Sequence, residues 1–175
     1  NTSPGEYWDW YPRVNPDIFY KRYDGTAPTH HLYALREALN ILVHEEGIEN
    51  AWSRHTTIAN SIWAAIEKWN VDGSMQHNIQ DKSLRSTAVS TITMQDGNAT
   101  KLRKWVEQNA GVTLGVSLGF PADETDNYFR IGHMGHQNIP MVLGVLGSID
   151  TGLKALEIPH AEGALAAATS ILAKH

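Results

Sequence analysis

Arg130 stands in the apolar run Tyr128-Phe129-Arg130-Ile131-Gly132, followed by His133-Met134-Gly135. A guanidinium in such a run is costly to bury unless it meets an anion. Its planar fork matches a carboxylate through two parallel hydrogen bonds, and the neighbouring glycines would let a ligand or another backbone come close. The same residue also reads as an arginine on the solvent face of an edge strand, or as one paired to an internal Asp or Glu. A second constellation is Tyr23-Asp24-Gly25-Thr26-Ala27-Pro28, a turn with hydroxyls at positions 23 and 26 just ahead of a helix. Hydroxyls and free backbone N–H groups at a helix start can hold a phosphate; equally, Thr26 or Thr29 could simply cap that helix. His133-x-x-His136 invites a metal reading, but a metal needs three or four ligands and no carboxylate has ligand spacing here. No metal site is expected. His30, His31, His44, His55, His77 and His160 are scattered and read as surface, capping or satisfied core residues. No glycine-rich phosphate loop, paired-carboxylate site or nucleophile elbow is present.

The elements that must position these groups can be read from periodicity. Leu32, Leu35, Leu39 and Leu42 recur at helical spacing, and after Gly47 the period resumes through Ile48, Trp52, His55, Ile58, Ile62, Ile66 and Trp69. The segment 29–70 is therefore two helices or one long bent helix. Asp72-Gly73 signals a turn. Ser86–Met94, rich in Thr, Val and Ile, predicts a strand. Asn98 is expected to cap a helix that turns Leu102, Trp105 and Val106 inward and stops before Gly111. Val112–Leu118 is a strand candidate weakened by Gly115, Gly119–Asp126 a loop, and Asn127–His133 a short strand. Asn138 is expected to cap a helix with Pro140 in its first turn and Met141, Val142, Val145, Leu146, Ile149 and Leu153 on its buried stripe. A final helix is expected from about His160 through Leu165, Ala168 and Leu172. This order fits an α+β arrangement, helices packed on one face of a small sheet.

The opening differs from the rest. The segment 1–28 holds Pro4, Pro12, Pro16 and Pro28, and the aromatics Tyr7, Trp8, Trp10, Tyr11, Phe19, Tyr20 and Tyr23 fall in or against it. Prolines at this density prevent a continuous helix, and the aromatics need something to pack against. Either the arm lies on its own domain or its natural bed is outside this chain.

The 175 residues carry 42% hydrophobic and 19% charged residues, enough for a buried core. Fourteen basic residues against nineteen acidic give a net charge of −5 with no basic run, which speaks against a nucleic-acid-binding face. The absence of cysteine excludes disulfides and thiolate zinc sites. Apolar stretches such as Pro140–Leu146 are too short to cross a bilayer. Asn1–Trp10 does not read as a signal peptide, nor Ala173-Lys174-His175 as a peroxisomal tripeptide. A cytoplasmic protein without nucleic-acid or membrane partners is expected.

Three runs carry a family resemblance. Tyr23-Asp24-Gly25-Thr26-Ala27-Pro28, then Leu32-Tyr33-Ala34-Leu35-Arg36-Glu37-Ala38-Leu39, then Glu46-Gly47-Ile48-Glu49-Asn50-Ala51-Trp52-Ser53-Arg54-His55 resemble the second half of class V aminotransferases, of the alanine–glyoxylate and serine–glyoxylate type. Phe129-Arg130-Ile131-Gly132-His133-Met134-Gly135 resembles the arginine strand of the same group, with an ending similar to pyridoxamine–pyruvate aminotransferase. The resemblance spans nearly the whole chain. It implies the C-terminal domain of a fold-type-I enzyme that uses pyridoxal 5'-phosphate and works as a homodimer. Residues 1–45 would be the tail of the large domain with its connecting helix, and 46–175 the small domain. Arg130 would grip the substrate carboxylate. Tyr23 and Thr26 would reach across the dimer to the cofactor phosphate.

The resemblance also implies what lies elsewhere. The Schiff-base lysine, the acidic partner of the pyridine nitrogen and the ring-stacking residue come from the first half of the family's chain, and none of Lys21, Lys68, Lys82, Lys101, Lys104, Lys154 or Lys174 stands in the lysine motif. This chain would transaminate nothing without a missing N-terminal half, in the same or a separate polypeptide. The implied substrates are a small amino acid and a 2-oxo acid such as glyoxylate or pyruvate. The pyridoxamine–pyruvate enzymes have a further arginine in a Gly-Arg-Gly loop; here the loop reads Ser117-Leu118-Gly119-Phe120, which turns the reading toward a small amino acid. The competing expectation is a stand-alone binding domain that kept the fold and lost the chemistry.

Overall fold

A computed structural model describes Gly5 and residues 8–174; Pro4, Tyr7 and His175 of the segments above lie outside the described residues. The chain divides into two compact units, Asn1–Ile48 and Glu49–His175.

In the first unit the proline-rich opening forms only short pieces: α1 (Tyr11–Val14), with Pro12 in its first turn, and a 3-10 turn (Phe19–Tyr23). Arg13 pairs with Asp24 at 3.3 Å and Lys21 with Asp17 at 2.8 Å. The leucine period then becomes α2 (Thr29–Asn40), continued by a wider π turn (Ile41–Glu46). None of these elements has a buried residue among those described. Leu32, Leu35 and Leu39 keep 40%, 54% and 49% of their surface exposed. An apolar stripe of that width on a helix ordinarily faces a partner.

Gly47, at φ 84°, sits where right-handed helix cannot continue, so the 29–70 segment is two helices rather than one bent helix. The second, α3 (Ile48–Trp69), opens the Glu49–His175 unit and buries Ile58, Ile62, Ala65, Ile66 and Trp69. Trp52 does not follow this stripe and stays exposed.

The sheet has four antiparallel strands: β1 (Met75–His77), β2 (Val89–Met94), β3 (Gly115–Val116) and β4 (Tyr128–Gly132), in the order β1-β2-β4-β3. β1 follows the Asp72-Gly73 turn and has too few residues to show alternation in the sequence. β3 keeps only two ladder residues of the Val112–Leu118 candidate. Alternation is strict on the central strands. Ser90, Ile92 and Met94 of β2 and Phe129 and Ile131 of β4 are buried; Val89, Thr91, Thr93, Tyr128 and Arg130 are only half-buried.

The buried face packs against helices α3, α4 (Asn98–Ala110), α5 (Ile139–Ala155) and α6 (Ala164–Leu172) in one core that includes Trp69, Leu102, Val106, Leu146, Ile149 and Leu153. Each large apolar side chain buried there contributes about 1.5–3 kcal/mol. Asn138 caps α5 as expected, its Oδ1 accepting from the Met141 N–H at 3.0 Å. Met141, expected on the buried stripe, is 46% exposed because the cap leaves it on the outer side of the first turn. The expected Asn98 cap is not formed: Gly97 occupies the N-cap, and Asn98 is the first helical residue, its Oδ1 accepting from Lys101 Nζ. Gly111 ends α4 in the left-handed conformation. Helix α6 starts at Ala164 rather than near His160, because Gly163 at φ 92° breaks the path before it.

Candidate functional site

Arg130 lies on the open face of the sheet, in register with Thr91 of β2 on one side and Gly115 of β3 on the other. Its Nε donates to the Val116 carbonyl at 2.7 Å. Neither Nη has a hydrogen-bond or ion-pair partner among the described residues, and neither is sealed from solvent. The side chain is thus half-buried and tethered at Nε, with the outer edge of its fork unpaired. Of the readings left open by the sequence, pairing to an internal carboxylate is not what the described residues show. Arg85 makes the contrast. Its Nη1 meets Glu67 at 2.8 Å, its Nε the Ile79 carbonyl at 2.9 Å and its Nη2 the Gln80 carbonyl at 3.2 Å, while its guanidinium lies 5.5 Å from the Trp63 ring centroid. All three nitrogens of Arg85 are engaged within the fold, whereas only Nε of Arg130 is, among the described residues.

Beside Arg130 on the same face, Tyr128 stacks on Phe120 with ring centroids 3.7 Å apart and planes 11° from parallel, which holds the Gly119–Asp126 loop on β4. Leu118 is exposed.

Behind the strand runs a buried polar chain that sequence reasoning missed. Trp63 Nε1 donates to Ser90 Oγ at 2.9 Å, Ser90 Oγ lies 2.9 Å from His133 Nε2, and His133 Nδ1 lies 3.0 Å from the Thr87 carbonyl. An indole can only donate and a carbonyl can only accept. The Thr87 carbonyl therefore requires the proton on Nδ1, and because burial keeps the imidazole neutral, Nε2 accepts and the Ser90 hydroxyl donates to it. His133 has both nitrogens engaged and ligates no metal in this arrangement. Among the described residues no group of three or more His, Asp or Glu side chains comes together as a metal site. The following loop is strapped to α3, where Arg54 Nη1 donates to the carbonyls of Gly135 (2.8 Å) and Gln137 (3.2 Å) and His55 Nε2 to that of Gly135 (3.1 Å). These contacts fix the strand that carries Arg130 at its C-terminal end.

Burial holds both core histidines neutral. Loss of solvent pushes His77 down to about 4, helped by the neighbouring Arg85 charge, and lowers His133, with His55 adding to the effect. A histidine depressed in the folded state takes up its proton more readily when unfolded. Stability is then fully present above the unfolded value near 6.5 and is lost as pH falls toward 4, by up to about 3 kcal/mol for His77. Between pH 6.5 and 5 ordinary carboxylates remain ionised, so urea midpoints measured there isolate the histidines. The expected result is a decline over that range that flattens in His77→Gln; a flat wild-type profile contradicts it.

Tyr23 and Thr26 lie in the first unit and Arg130 in the second. Asp24 (φ 58°) and Gly25 (φ 148°) turn the chain sharply between the two hydroxyls. The cap reading fails: Pro28 occupies the N-cap of α2, and neither Thr26 nor Thr29 caps it through its side chain. The Tyr23 and Thr26 hydroxyls are exposed and have no hydrogen-bond partner among the described residues. His136 is likewise exposed.

No protein-family model matches the sequence. It is similar to the serine–glyoxylate aminotransferase of Arabidopsis thaliana, 31% identical over 171 residues, which is 98% of this chain and 37% of that protein. The fold is similar to that of the ureidoglycine–glyoxylate aminotransferase of Bacillus subtilis, with a TM-score of 0.72 and 27% identity over 84% of this chain and 36% of the other. In sequence and fold, the chain is similar to the C-terminal part of these aminotransferases. The antiparallel sheet with helices on one face matches the C-terminal small domain of these aminotransferases. A fold likeness extends to the pyridoxamine–pyruvate aminotransferase of Mesorhizobium loti, with a TM-score of 0.63 at 23% identity over 74% of this chain and 32% of the other. The chain spans about a third of the length of these aminotransferases. Among the described residues no helix is long and apolar enough to cross a membrane.

Proposed function

We propose that this chain is the C-terminal part of a cytoplasmic, homodimeric aminotransferase that moves an amino group between a small amino acid and a 2-oxo acid such as glyoxylate or pyruvate. The observation that carries the reading is Arg130: tethered at Nε, unpaired at both Nη, and without a carboxylate partner among the described residues. That is the state of a fork ready for a substrate carboxylate, which it would bind end-on, through Nη1 and Nη2, by two charge-assisted hydrogen bonds. The exposed Leu118 in the adjoining loop adds no second cation, which suits a substrate with one carboxylate.

Pyridoxal 5'-phosphate, when bound, supplies the electron sink for amino-group transfer. The Tyr23 and Thr26 hydroxyls fit its phosphate, because both are exposed, unspent on capping and three residues apart on one turn. They would donate to phosphate oxygens of a second copy's cofactor. Residues 1–45 would be the tail of the large domain and 46–175 the small domain. The apolar stripe of α2, without a buried residue, supports a bed supplied by the N-terminal part, in the same or a separate polypeptide.

The test is made on the complete protein that contains this chain. It is expected to show absorbance from bound pyridoxal phosphate, and Tyr23→Phe with Thr26→Val to weaken cofactor retention by about tenfold or more. A complete protein with no affinity for the cofactor contradicts the proposal and leaves the stand-alone binding domain.

A further inference from the structure

The site contains one residue whose missing side chain is its contribution. Gly115 lies directly across from Arg130 in the β3–β4 ladder, with φ outside the left-handed region, so no conformational need for glycine arises there. The need is for space. A Cβ at Gly115 would stand 3.1 Å from Arg130 Cβ, 3.3 Å from Arg130 O and 3.5 Å from Arg130 Nε. Opposed Cβ atoms in antiparallel ladders normally keep roughly 4.5–5.5 Å. The Arg130 side chain therefore lies over the bare backbone of β3, and this course brings its Nε to the Val116 carbonyl.

We propose that Gly115 is a positioning residue for Arg130: its bare backbone lets the arginine lie across β3, where the Val116 carbonyl holds Nε and the two Nη groups are presented together to a carboxylate. The last clause rests on the function proposed above; the positioning itself does not. With Nε held, rotation of the guanidinium is restrained, and the pair Nη1–Nη2 is the only edge of the fork left for a ligand. An alanine at 115 must push the arginine stem aside by a few tenths of an ångström, and the shift is expected to loosen the Nε tether.

The experiment is side-chain NMR on the uniformly 15N-labelled 175-residue chain. In the wild type the Arg130 Nε–H is expected to exchange with water about tenfold more slowly than that of the exposed Arg22. In Gly115→Ala it is expected to exchange at the Arg22 rate while backbone amides of β1 and β2 keep their positions. An Arg130 Nε–H that stays equally protected in Gly115→Ala overturns the proposal. If Gly115→Ala loses the sheet altogether, Gly115→Ala with Arg130→Gly is expected to restore it, since the crowding is with Arg130; a double variant that also lacks the sheet overturns the proposal. Titration with acetate separates the two ideas. A shift of the wild-type Arg130 Nε–H that is absent in Gly115→Ala supports both, whereas a wild-type signal that is protected yet indifferent to acetate supports the positioning and contradicts the carboxylate role.

Discussion

Arg130→Ala in the complete enzyme is expected to raise the KM for the amino-acid substrate by roughly 30- to 700-fold, equivalent to about 2–4 kcal/mol, with cofactor retention unchanged. The size follows from what is removed, two charge-assisted hydrogen bonds held in one plane. Retention stays because Arg130 belongs to the sheet of the second unit, while the proposed phosphate contacts belong to the Tyr23–Thr26 turn of the first. Stability should change little, since the arginine makes one side-chain hydrogen bond, to the Val116 carbonyl, and no ion pair among the described residues. Arg130→Lys should recover only part of the loss, because an ammonium is a point charge and cannot reproduce the fork. An unchanged KM in Arg130→Ala would remove the role given to this residue.

The second large effect is on folding. Ser90→Ala is expected to lower the unfolding free energy by about 2–4 kcal/mol, because it strands two buried groups at once, the Trp63 indole N–H and His133 Nε2. Thr91, the next residue along β2, points to the open face, and Thr91→Ala is expected to stay within about 0.5 kcal/mol. The pair of variants separates loss of the polar chain from a general weakening of β2. Urea denaturation at neutral pH measures both, and similar midpoints for the two variants would contradict the role assigned to the chain.

Residue pattern carried the fold a long way and the site only in part. The Asn138 cap and the stripe Val142, Leu146, Ile149 and Leu153 follow from local chemistry that the sequence states outright. The two-residue β3 and three-residue β1 do not, because a strand of that length exists only through its partner. Asn98 misled because the glycine before it could take the left-handed conformation and serve as the cap position itself. Arg130 was legible as a charge out of place in an apolar run. Its tether to Val116 was not, since that bond depends on cross-strand register. Gly115 read only as a weak point in a strand; the signal available was that strand glycines often mark a close approach of another group. The Trp63–Ser90–His133 chain joins residues 27 and 43 positions apart, and nothing in their spacing announces it.

The central claim is that Arg130 exists to receive a carboxylate, and the most direct measurement compares an amino acid with the amine that lacks only that group. In the complete enzyme the ratio of kcat/KM for alanine over ethylamine is expected to be large in the wild type and to fall by roughly 30-fold or more in Arg130→Ala. A ratio that is the same in both proteins would show that the carboxylate is recognised elsewhere and would contradict the account.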